Sequence, residues 1–276
     1  MPTITVEIPV SLRAALEMES GRSGTSASSI ITTALASYLK TPVHTLFQIS
    51  TSGALVAGVY SGAVSVRSVL QHGNFGLGTF AGLDGEMVVL DGHVYQVQGT
   101  GRVSEAPPTA EVPFAVVTEF SPEIDVTIDG IVSLDALHAH CDGLRKSGNI
   151  FYALRVDGTF KKVRTRAVNP PQDGERLVDA AKAQSEFHFA DVAGTMVGLW
   201  SPGFSAAFSV PGYHFHFISD DRKDGGHLLD CQAELVRLRI EPLTDFHLAL
   251  PETENFLRAD LSKNTADELA YAESAH

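Results

Sequence analysis

The sequence predicts an α+β fold made mainly of β-strands, with two sheet-rich halves that follow a small N-terminal module. One half is predicted as a mixed sheet with helices, and the other as an antiparallel, barrel-like sheet. Residues 1–40 combine one alternating segment with two stretches of helical periodicity. The rest of the chain consists of short β runs separated by Gly, Asp and Pro, and a Pro-rich loop at 169–174 divides them. The predicted domains are residues 1–40, 44–170 and 171–276.

Short runs rich in β-branched and aromatic residues mark the predicted strands. They cover residues 86–90, 93–98, 114–120, 151–156, 160–168, 194–199, 213–218 and 234–240. Helices are predicted at residues 65–71, 134–146 and 266–272. The close spacing of the β runs favours antiparallel pairing, because parallel strands need long crossover connections.

The N-terminal module is predicted to contain one strand and two helices. Ile4, Val6 and Ile8 alternate with polar residues, which indicates a strand with one apolar face. A helix is predicted from Ser11 to a stop at Gly21, and a second helix covers residues 26–40. This order resembles the ribbon-helix-helix family, whose strands pair between two chains. The resemblance implies a homodimer.

The polar face of such paired strands can enter the major groove of DNA. Here that face carries Thr3, Thr5 and Glu7, which provide no cation and include a carboxylate. Dimerisation or tethering is therefore the favoured role of the module, and specific DNA binding is not expected.

The overall charge limits the ligands that the protein can bind. The 276 residues include 33 acidic and 20 basic ones, a net charge of −13 that opposes loose binding to nucleic acid or to an anionic membrane. Any anionic ligand therefore needs a local positive site. Cys141 and Cys231 are too few for a disulfide framework, and we see neither an export signal nor a membrane-spanning segment. We expect a cytoplasmic protein.

Three histidines have the spacing of a metal site. His214 and His216 alternate along a predicted strand, so both imidazoles leave one face, and His227 lies at the start of the returning strand. Three imidazoles can hold one zinc ion and leave a position for water or substrate. Three unrelated polar residues are the alternative, and spacing alone leaves it open.

Two other patterns are discounted on structural grounds. His138 and His140 lie in a helical pattern, where residues two apart point in nearly opposite directions. The segment at residues 76–81 formally fits a dinucleotide fingerprint, but that motif must follow a strand and open a helix. Neither pattern is predicted to bind a ligand.

Several runs, taken in order, resemble the α-acetolactate decarboxylase family from about residue 45 to residue 273. They are TLFQIST at 45–51, GLGTF at 76–80, LDGEM at 83–87, PFAVVT at 113–118, NIFYALR at 149–155 and GYHFHF at 212–217. The resemblance implies that His214, His216 and His227 hold Zn²⁺. It also implies a site closed by Glu86, Arg166 and Glu273, with Thr79 beside the substrate pocket and Glu268 as an alternative to Glu273.

The implied reaction is decarboxylation of 2-acetolactate, a small anionic 2-hydroxy-3-keto acid, to acetoin and CO2. Zinc would polarise the ketone and hydroxyl oxygens and stabilise an enediolate, which is then protonated stereoselectively. Arg166 would supply the local positive charge, and Glu86 and Glu273 would handle protons. A different hypothesis, suggested by residues 1–40, is a DNA-binding regulator that senses an acetolactate-like acid.

Overall fold

A computed structural model describes residues 4–39, 43–170, 184–263, 265 and 267–269. The chain forms two compact units, Met1–Val43 and His44–His276. In the described residues, no helix combines the length and the apolar character that crossing a membrane requires. Location in the cytoplasm stays a prediction from the sequence.

The N-terminal unit contains two helices, α1 (Val10–Ser23) and α2 (Ala27–Leu39). Helix α1 runs past Gly21, so the predicted stop there is wrong. It ends instead at Gly24, whose φ of 69° is the left-handed conformation that glycine adopts at low cost. The Ser26 hydroxyl accepts from the amide of Ser29 and caps the start of α2. Residues 4–9 lie in neither a helix nor a strand of the single chain.

The second unit contains two sheets, of which the first is mixed. Among the described residues it has seven strands in the order β14-β1-β8-β3-β4-β5-β6. They are β1 (Thr45–Ile49), β3 (Phe75–Thr79), β4 (Glu86–Leu90), β5 (His93–Val97), β6 (Val103–Glu105), β8 (Phe114–Thr118) and β14 (Asp245–Ala249). β1 and β14 run parallel, and the other neighbours are antiparallel. A separate short ribbon pairs β2 (Val64–Ser65) with β7 (Glu111–Val112).

The second sheet is antiparallel and closes on itself. Its strands are β9 (Ile124–Ile131), β10 (Phe151–Ala167), β11 (Ser185–Ser201), β12 (Gly212–Ser219) and β13 (Gly225–Leu243). β10 pairs with both β11 and β13, which produces the predicted barrel-like sheet. The predicted α+β, mainly β class is confirmed.

Two predicted strands, at 151–156 and 160–168, are one strand in the structure. The chain passes through Gly158 with shifts of register and no turn, so β10 continues across both segments. A further shift between Arg164 and Thr165 places the extra residue of a bulge at Leu229 on β13. Each sheet takes strands from both sides of residue 170. The two halves are therefore interleaved in sequence and are not divided at that loop.

Short helices complete the second unit. They are α3 (Ser52–Val56), α4 (Val66–Val69), α5 (Leu134–Leu144) and α6 (Glu254–Arg258). Of the predicted helices, α4 and α5 are shorter than expected, and only residues 267–269 of the predicted helix at 266–272 fall inside a described helical stretch. Cys141 and Cys231 are free and buried, and burial raises the pKa of both thiols to about 12, so neither is a ready nucleophile.

The main apolar core lies between the two sheets. Leu77, Val88 and Val116 of the first sheet pack with Val197 and Ile218 of the second. The opposite face of the first sheet is also buried, because Met87, Val89 and Val117 pack with residues of α4. β4 is therefore covered on both faces, which explains its nearly continuous apolar sequence after Glu86.

The discounted fingerprint at 76–81 begins in strand β3 and continues into a turn. A side chain at Gly76 or Gly78 would collide with the backbone of the neighbouring strand β8. These glycines therefore serve close strand packing.

Asp157 of β10 is held by several donors and should contribute stability that depends on pH. Its carboxylate accepts from Arg155 Nε at 2.9 Å, Thr195 Oγ1 at 2.9 Å and Arg239 Nη2 at 2.6 Å. Burial alone raises the pKa of Asp157, but the hydrogen bonds and charges of Arg239 and Arg155 outweigh it and lower the pKa below its ordinary value. The stabilising contribution is thus complete above the ordinary pKa of Asp and lost as the pH falls through the lowered value.

We expect Asp157→Asn to lower the free energy of unfolding by about 1–3 kcal/mol at neutral pH. The difference from wild type should be largest above the ordinary pKa of Asp and should shrink as the pH falls below that value, because the contribution of Asp157 is lost as the pH approaches its lowered pKa. Urea unfolding at a series of pH values measures the difference in the free energy of unfolding between the two proteins. Asp125→Asn, which alters an exposed pair with Arg237, is the control and should have little effect. A constant difference at every pH would contradict the prediction.

Candidate functional site

The three predicted histidines converge on one face of the second sheet. His214 and His216 alternate on β12, and His216 lies directly opposite His227 of β13. The intervening Phe215 points the other way, into the core of the barrel-like sheet. His216 Nε2 and His227 Nδ1 each lie 3.1 Å from His214 Nε2, and one ligand atom from each of the three residues falls within 4.8 Å of the other two. The sequence prediction of a shared face is confirmed.

The chemistry of this histidine cluster fits a metal ion. The Nδ1–H of His216 donates to the carbonyl oxygen of Met87 at 2.7 Å, which leaves Nε2 as a lone-pair donor towards the other imidazoles. Burial, with a smaller contribution from the charge of Arg166, lowers the pKa of His214 to about 3, so this imidazole is neutral at physiological pH. Two nitrogens on one tetrahedral zinc ion would lie about 3.3 Å apart. The three residues can therefore hold a metal ion.

Glu86 and Thr79 reach the same place from the first sheet. They form the last cross-strand pair of β3 and β4, so both side chains lie on the face that packs against the second sheet. Glu86 Oε2 is 3.5 Å from His216 Nε2, and its Oε1 accepts from the amide of Val168 at 3.3 Å. Thr79 Oγ1 donates to the carbonyl oxygen of Gly85 at 2.8 Å. Both side chains are buried.

Arg166 provides the local positive charge that an anionic ligand needs. It lies opposite His227 in the β10–β13 ladder, and only 4% of the residue is exposed. Its Nη1 donates to Gln184 Oε1 at 2.9 Å. The guanidinium is thus held at the end of β10, next to the histidine cluster, where its fork of donors suits a carboxylate.

One cavity of about 60 Å³ is lined by Thr79, Glu86, Arg166, His214 and His227. That volume is several times the roughly 10–15 Å³ of cavity volume that holds a single water molecule. The described lining residues are Ser52, Leu55, Gly78, Thr79, Leu83, Glu86, Phe114, Arg166, Val168, Val210, His214, His227 and Leu269. The lining therefore combines polar groups, two of the histidines among them, with apolar side chains, which suits a small organic anion.

The structure thus brings together six of the seven residues predicted for the site, namely Thr79, Glu86, Arg166, His214, His216 and His227. Glu273 lies outside the described residues. The alternative, Glu268, is half-buried and does not line the described part of the cavity, whereas its neighbour Leu269 does.

Sequence reasoning missed the apolar wall, which includes Leu55, Leu83, Phe114 and Val210. These side chains come from distant parts of the chain, and no spacing pattern distinguishes them from ordinary core residues. The LDGEM run was a usable signal for Leu83, because it also contains Glu86.

The discounted pair His138 and His140 lies on α5, as predicted. The ring of His138 stacks on Tyr213 at a centroid distance of 4.3 Å, and His140 is exposed. Neither residue belongs to the group of potential metal ligands found among the described residues.

Comparison with known proteins identifies the family. The sequence profile of the alpha-acetolactate decarboxylases matches residues 46–263, which is most of the chain. The chain belongs to the alpha-acetolactate decarboxylase family. It is 38% identical over 235 residues to the alpha-acetolactate decarboxylase of Brevibacillus brevis, covering 84% of this chain and 82% of the relative. The corresponding protein of Klebsiella aerogenes is 39% identical over 231 residues, with 83% and 88% coverage.

A solved structure supports the same assignment. The crystal structure of alpha-acetolactate decarboxylase from Bacillus subtilis strain 168 superposes with a TM-score of 0.81 at 34% identity, covering 84% of this chain and all of that one. The decarboxylase resemblance seen in the sequence is therefore confirmed, as is the prediction that the chain is an enzyme of this family. The matched profile begins after the N-terminal unit, whose resemblance to ribbon-helix-helix modules stays a prediction.

We expect His216→Ala to lower the affinity for a divalent metal ion by about 100-fold or more, because even loss of an outer partner of a ligand costs 10- to 100-fold. Metal content after dialysis against a weak chelator, together with competition titration, measures the change. His140→Ala is the matched control and should retain the metal, because His140 lies on α5 outside the histidine cluster. Equal metal contents in the two variants would contradict the assignment.

Proposed function

We propose that the protein decarboxylates 2-acetolactate to acetoin and CO2 with a zinc ion held by His214, His216 and His227. The observation that carries the proposal is one cavity that combines this histidine cluster with a buried arginine and a buried glutamate, in a chain of this family. The nitrogen-only donor set is typical of zinc sites in which three protein ligands leave a position open. When bound, the ion supplies a Lewis acid where negative charge develops on the ketone and hydroxyl oxygens.

Arg166 binds the anionic substrate in this proposal. The net charge of the chain is −13, so a carboxylate is attracted only where a cation is fixed and shielded from water. Arg166 meets both conditions, since it is buried and is placed beside His227 by the β10–β13 register. As CO2 leaves, negative charge moves to the enediolate oxygens, and the same guanidinium stabilises it there.

Glu86 moves the proton. Its side chain enters the cavity beside His216, and the amide of Val168 holds one of its oxygens. A carboxyl group held at a fixed position can deliver a proton to one face of the enediolate carbon, which accounts for a chiral product. The apolar wall formed by Leu55, Leu83 and Phe114 keeps bulk water from protonating the other face.

Glu273 is proposed as the second carboxylate of the site. Leu269 is buried and lines the cavity, so the chain is anchored there. Glu273 follows four residues later, and four residues span at most about 14 Å when fully extended. A glutamate at that position is within reach of the cavity, whereas Glu268, although next to Leu269, does not line the described part of the cavity.

The N-terminal unit is proposed to hold two copies of the chain together. Among its described residues, the large side chains of Ile4, Val6, Val10, Leu12, Met18, Leu35, Tyr38 and Leu39 are each more than half exposed, and Ala36 alone appears among the buried apolar residues. A unit of about 40 residues rarely buries enough apolar surface to be stable without a partner. A second copy, paired through residues 4–8 as in ribbon-helix-helix modules, would cover these side chains on both chains by the same contact.

The alternative role of a DNA-binding regulator has less support. On the outer face of the segment at residues 4–8, the described side chains are Thr5 and Glu7, and neither is a cation. Arg13 and Arg22 are engaged in ion pairs with Glu17 and Glu19 on their own helix. The family match concerns the decarboxylase part and lends no weight to a regulator.

The assigned roles are tested by the kinetics of four variants on racemic 2-acetolactate. Acetoin and CO2 are the readouts. We expect Arg166→Met to lower kcat/KM by about 10- to 100-fold through the lost charge-assisted contacts. Glu86→Gln and Glu273→Gln should lower kcat by about 100-fold or more, because general acid–base groups contribute at least that much. Glu268→Gln is the matched control for the tail and should retain activity.

The reaction itself is tested on the wild-type protein in the same assay. Chelation should abolish acetoin formation, and added zinc should restore it. Rapid turnover by protein freed of metal would contradict the proposed role of zinc, and near-normal turnover of Glu273→Gln would contradict the assignment in the tail.

Size-exclusion chromatography of the full chain, followed by light scattering, tests whether two copies associate. We expect wild type at twice the chain mass of 29.5 kDa. Val6→Asp should shift it towards a single chain, because a carboxylate would then be buried without a partner in the apolar face that the second copy covers. Thr5→Asp, one residue away on the opposite face, is the control and should stay dimeric. A monomeric wild type, or an unchanged Val6→Asp variant, would contradict the proposal.

A further inference from the structure

The turn that leads into Glu86 is held from outside the cavity by Asp84. The side-chain amide of Gln96 donates to the carboxylate of Asp84 at 2.9 Å and also to its backbone carbonyl at 2.6 Å. The amide of Gln98 donates to both carboxylate oxygens, at 3.0 and 3.2 Å. Hydrogen bonds to a charged acceptor are stronger than neutral ones, so this is a firm anchor for a residue in a turn.

The anchored turn has an unfavourable backbone conformation. Gly82, Leu83 and Gly85 all have positive φ, of 72°, 52° and 87°, and Leu83 carries a bulky side chain in that conformation. Between them, Asp84 adopts φ −78° and ψ 68°, with the amide of Gly85 donating to the carbonyl of Leu83 at 2.9 Å, which is an inverse γ-turn. Such a conformation persists only where surrounding contacts impose it.

The residues that follow Asp84 contact both sides of the candidate site. The carbonyl of Gly85 accepts from Thr79, the side chain of Glu86 enters the cavity, and the carbonyl of Met87 accepts from the ring of His216. Gln96 lies opposite Met87 on β5, so its side chain is on the face away from Glu86. The anchor therefore touches neither the cavity nor the histidine cluster, and it acts through the backbone.

We propose that Asp84, fixed by Gln96 and Gln98, is a positioning residue for the decarboxylation, setting both the place of the Glu86 carboxylate and the hydrogen bond that orients His216. The proposal rests on the proposed roles of Glu86 and the histidine cluster. Without the anchor, the strained turn relaxes, and the displacement passes along β4 to Glu86 and to the Met87 carbonyl.

The test uses Asp84→Ala in the full chain, alone and combined with Glu86→Gln. At saturating zinc we expect kcat to fall about 10-fold or more while KM changes little, since misplacement of a reacting group by about 1 Å costs up to about 100-fold and Arg166 is untouched. In the Glu86→Gln background, Asp84→Ala should add less than about 3-fold, because the two residues act as one unit. Zinc affinity, from competition with a chelator, should fall about 10-fold in both backgrounds.

Glu105→Ala is the matched control, since it removes an exposed carboxylate of the same sheet whose contact is the surface residue His93. It should leave kcat and zinc affinity unchanged. If Asp84→Ala does not fold, Asp84→Asn replaces it, because the amide oxygen retains one acceptor and a smaller loss of the same kind is expected.

The proposal would be overturned if the losses of kcat from Asp84→Ala and Glu86→Gln multiplied in the double variant. It would also be overturned if Asp84→Ala left both kcat and zinc affinity unchanged. If the wild type itself forms no acetoin, the proposed function fails. The zinc affinities of Asp84→Ala and Glu105→Ala still decide whether Asp84 positions His216.

Discussion

The hydrogen bond from His216 to the carbonyl of Met87 is the interaction on which the candidate site depends. It joins the two sheets at the level of the cavity, since His216 belongs to β12 of the second sheet and Met87 to β4 of the first. The bond selects the tautomer of His216 and thereby directs its Nε2 towards the other histidines. It also fixes the distance between the histidine cluster and Glu86, the residue before Met87. The packing of the two apolar faces brings the sheets together, and this bond fixes the relative positions of the polar groups that the two sheets bring to the cavity.

The electrostatics of the site follow from burial. The overall charge is strongly negative, yet burial keeps His214 neutral, and β10 brings the guanidinium of Arg166 to the cavity. A neutral His214 beside an arginine lets the site accept a divalent cation and an anionic ligand together, because neither has to displace a proton from this imidazole. Glu86 is then the described carboxylate that lines this cavity, and its position beside His216 gives it a function distinct from that of the exposed acidic residues.

Prediction from the sequence succeeded where the pattern is local. Alternation on β12 placed His214 and His216 on one face, and helical spacing separated His138 from His140. It failed where the outcome depends on which strands become neighbours. Glycine at position 158 suggested a break, but β10 is continuous because β11 and β13 pair with it across the irregularity. Likewise, Arg166 and Glu86 carry no local mark of a site. Only the ordered family resemblance indicated them, because their meeting depends on pairings between distant segments.

The bulge at Leu229 places His227 in the site. His227 and Cys231 are four residues apart, and in a regular strand residues separated by an even number share a face. Cys231 lies in the apolar interior of the barrel-like sheet, together with Leu228. With regular alternation, the imidazole of His227 would therefore point into the apolar interior of the barrel-like sheet, and Leu228 would face the cavity. One surplus residue reverses this arrangement. The position of the third potential metal ligand thus depends on the β-bulge between β10 and β13 as well as on the histidine itself. A change that restored regular pairing there would turn His227 away from the cavity, although every residue of the site would still be present in the sequence.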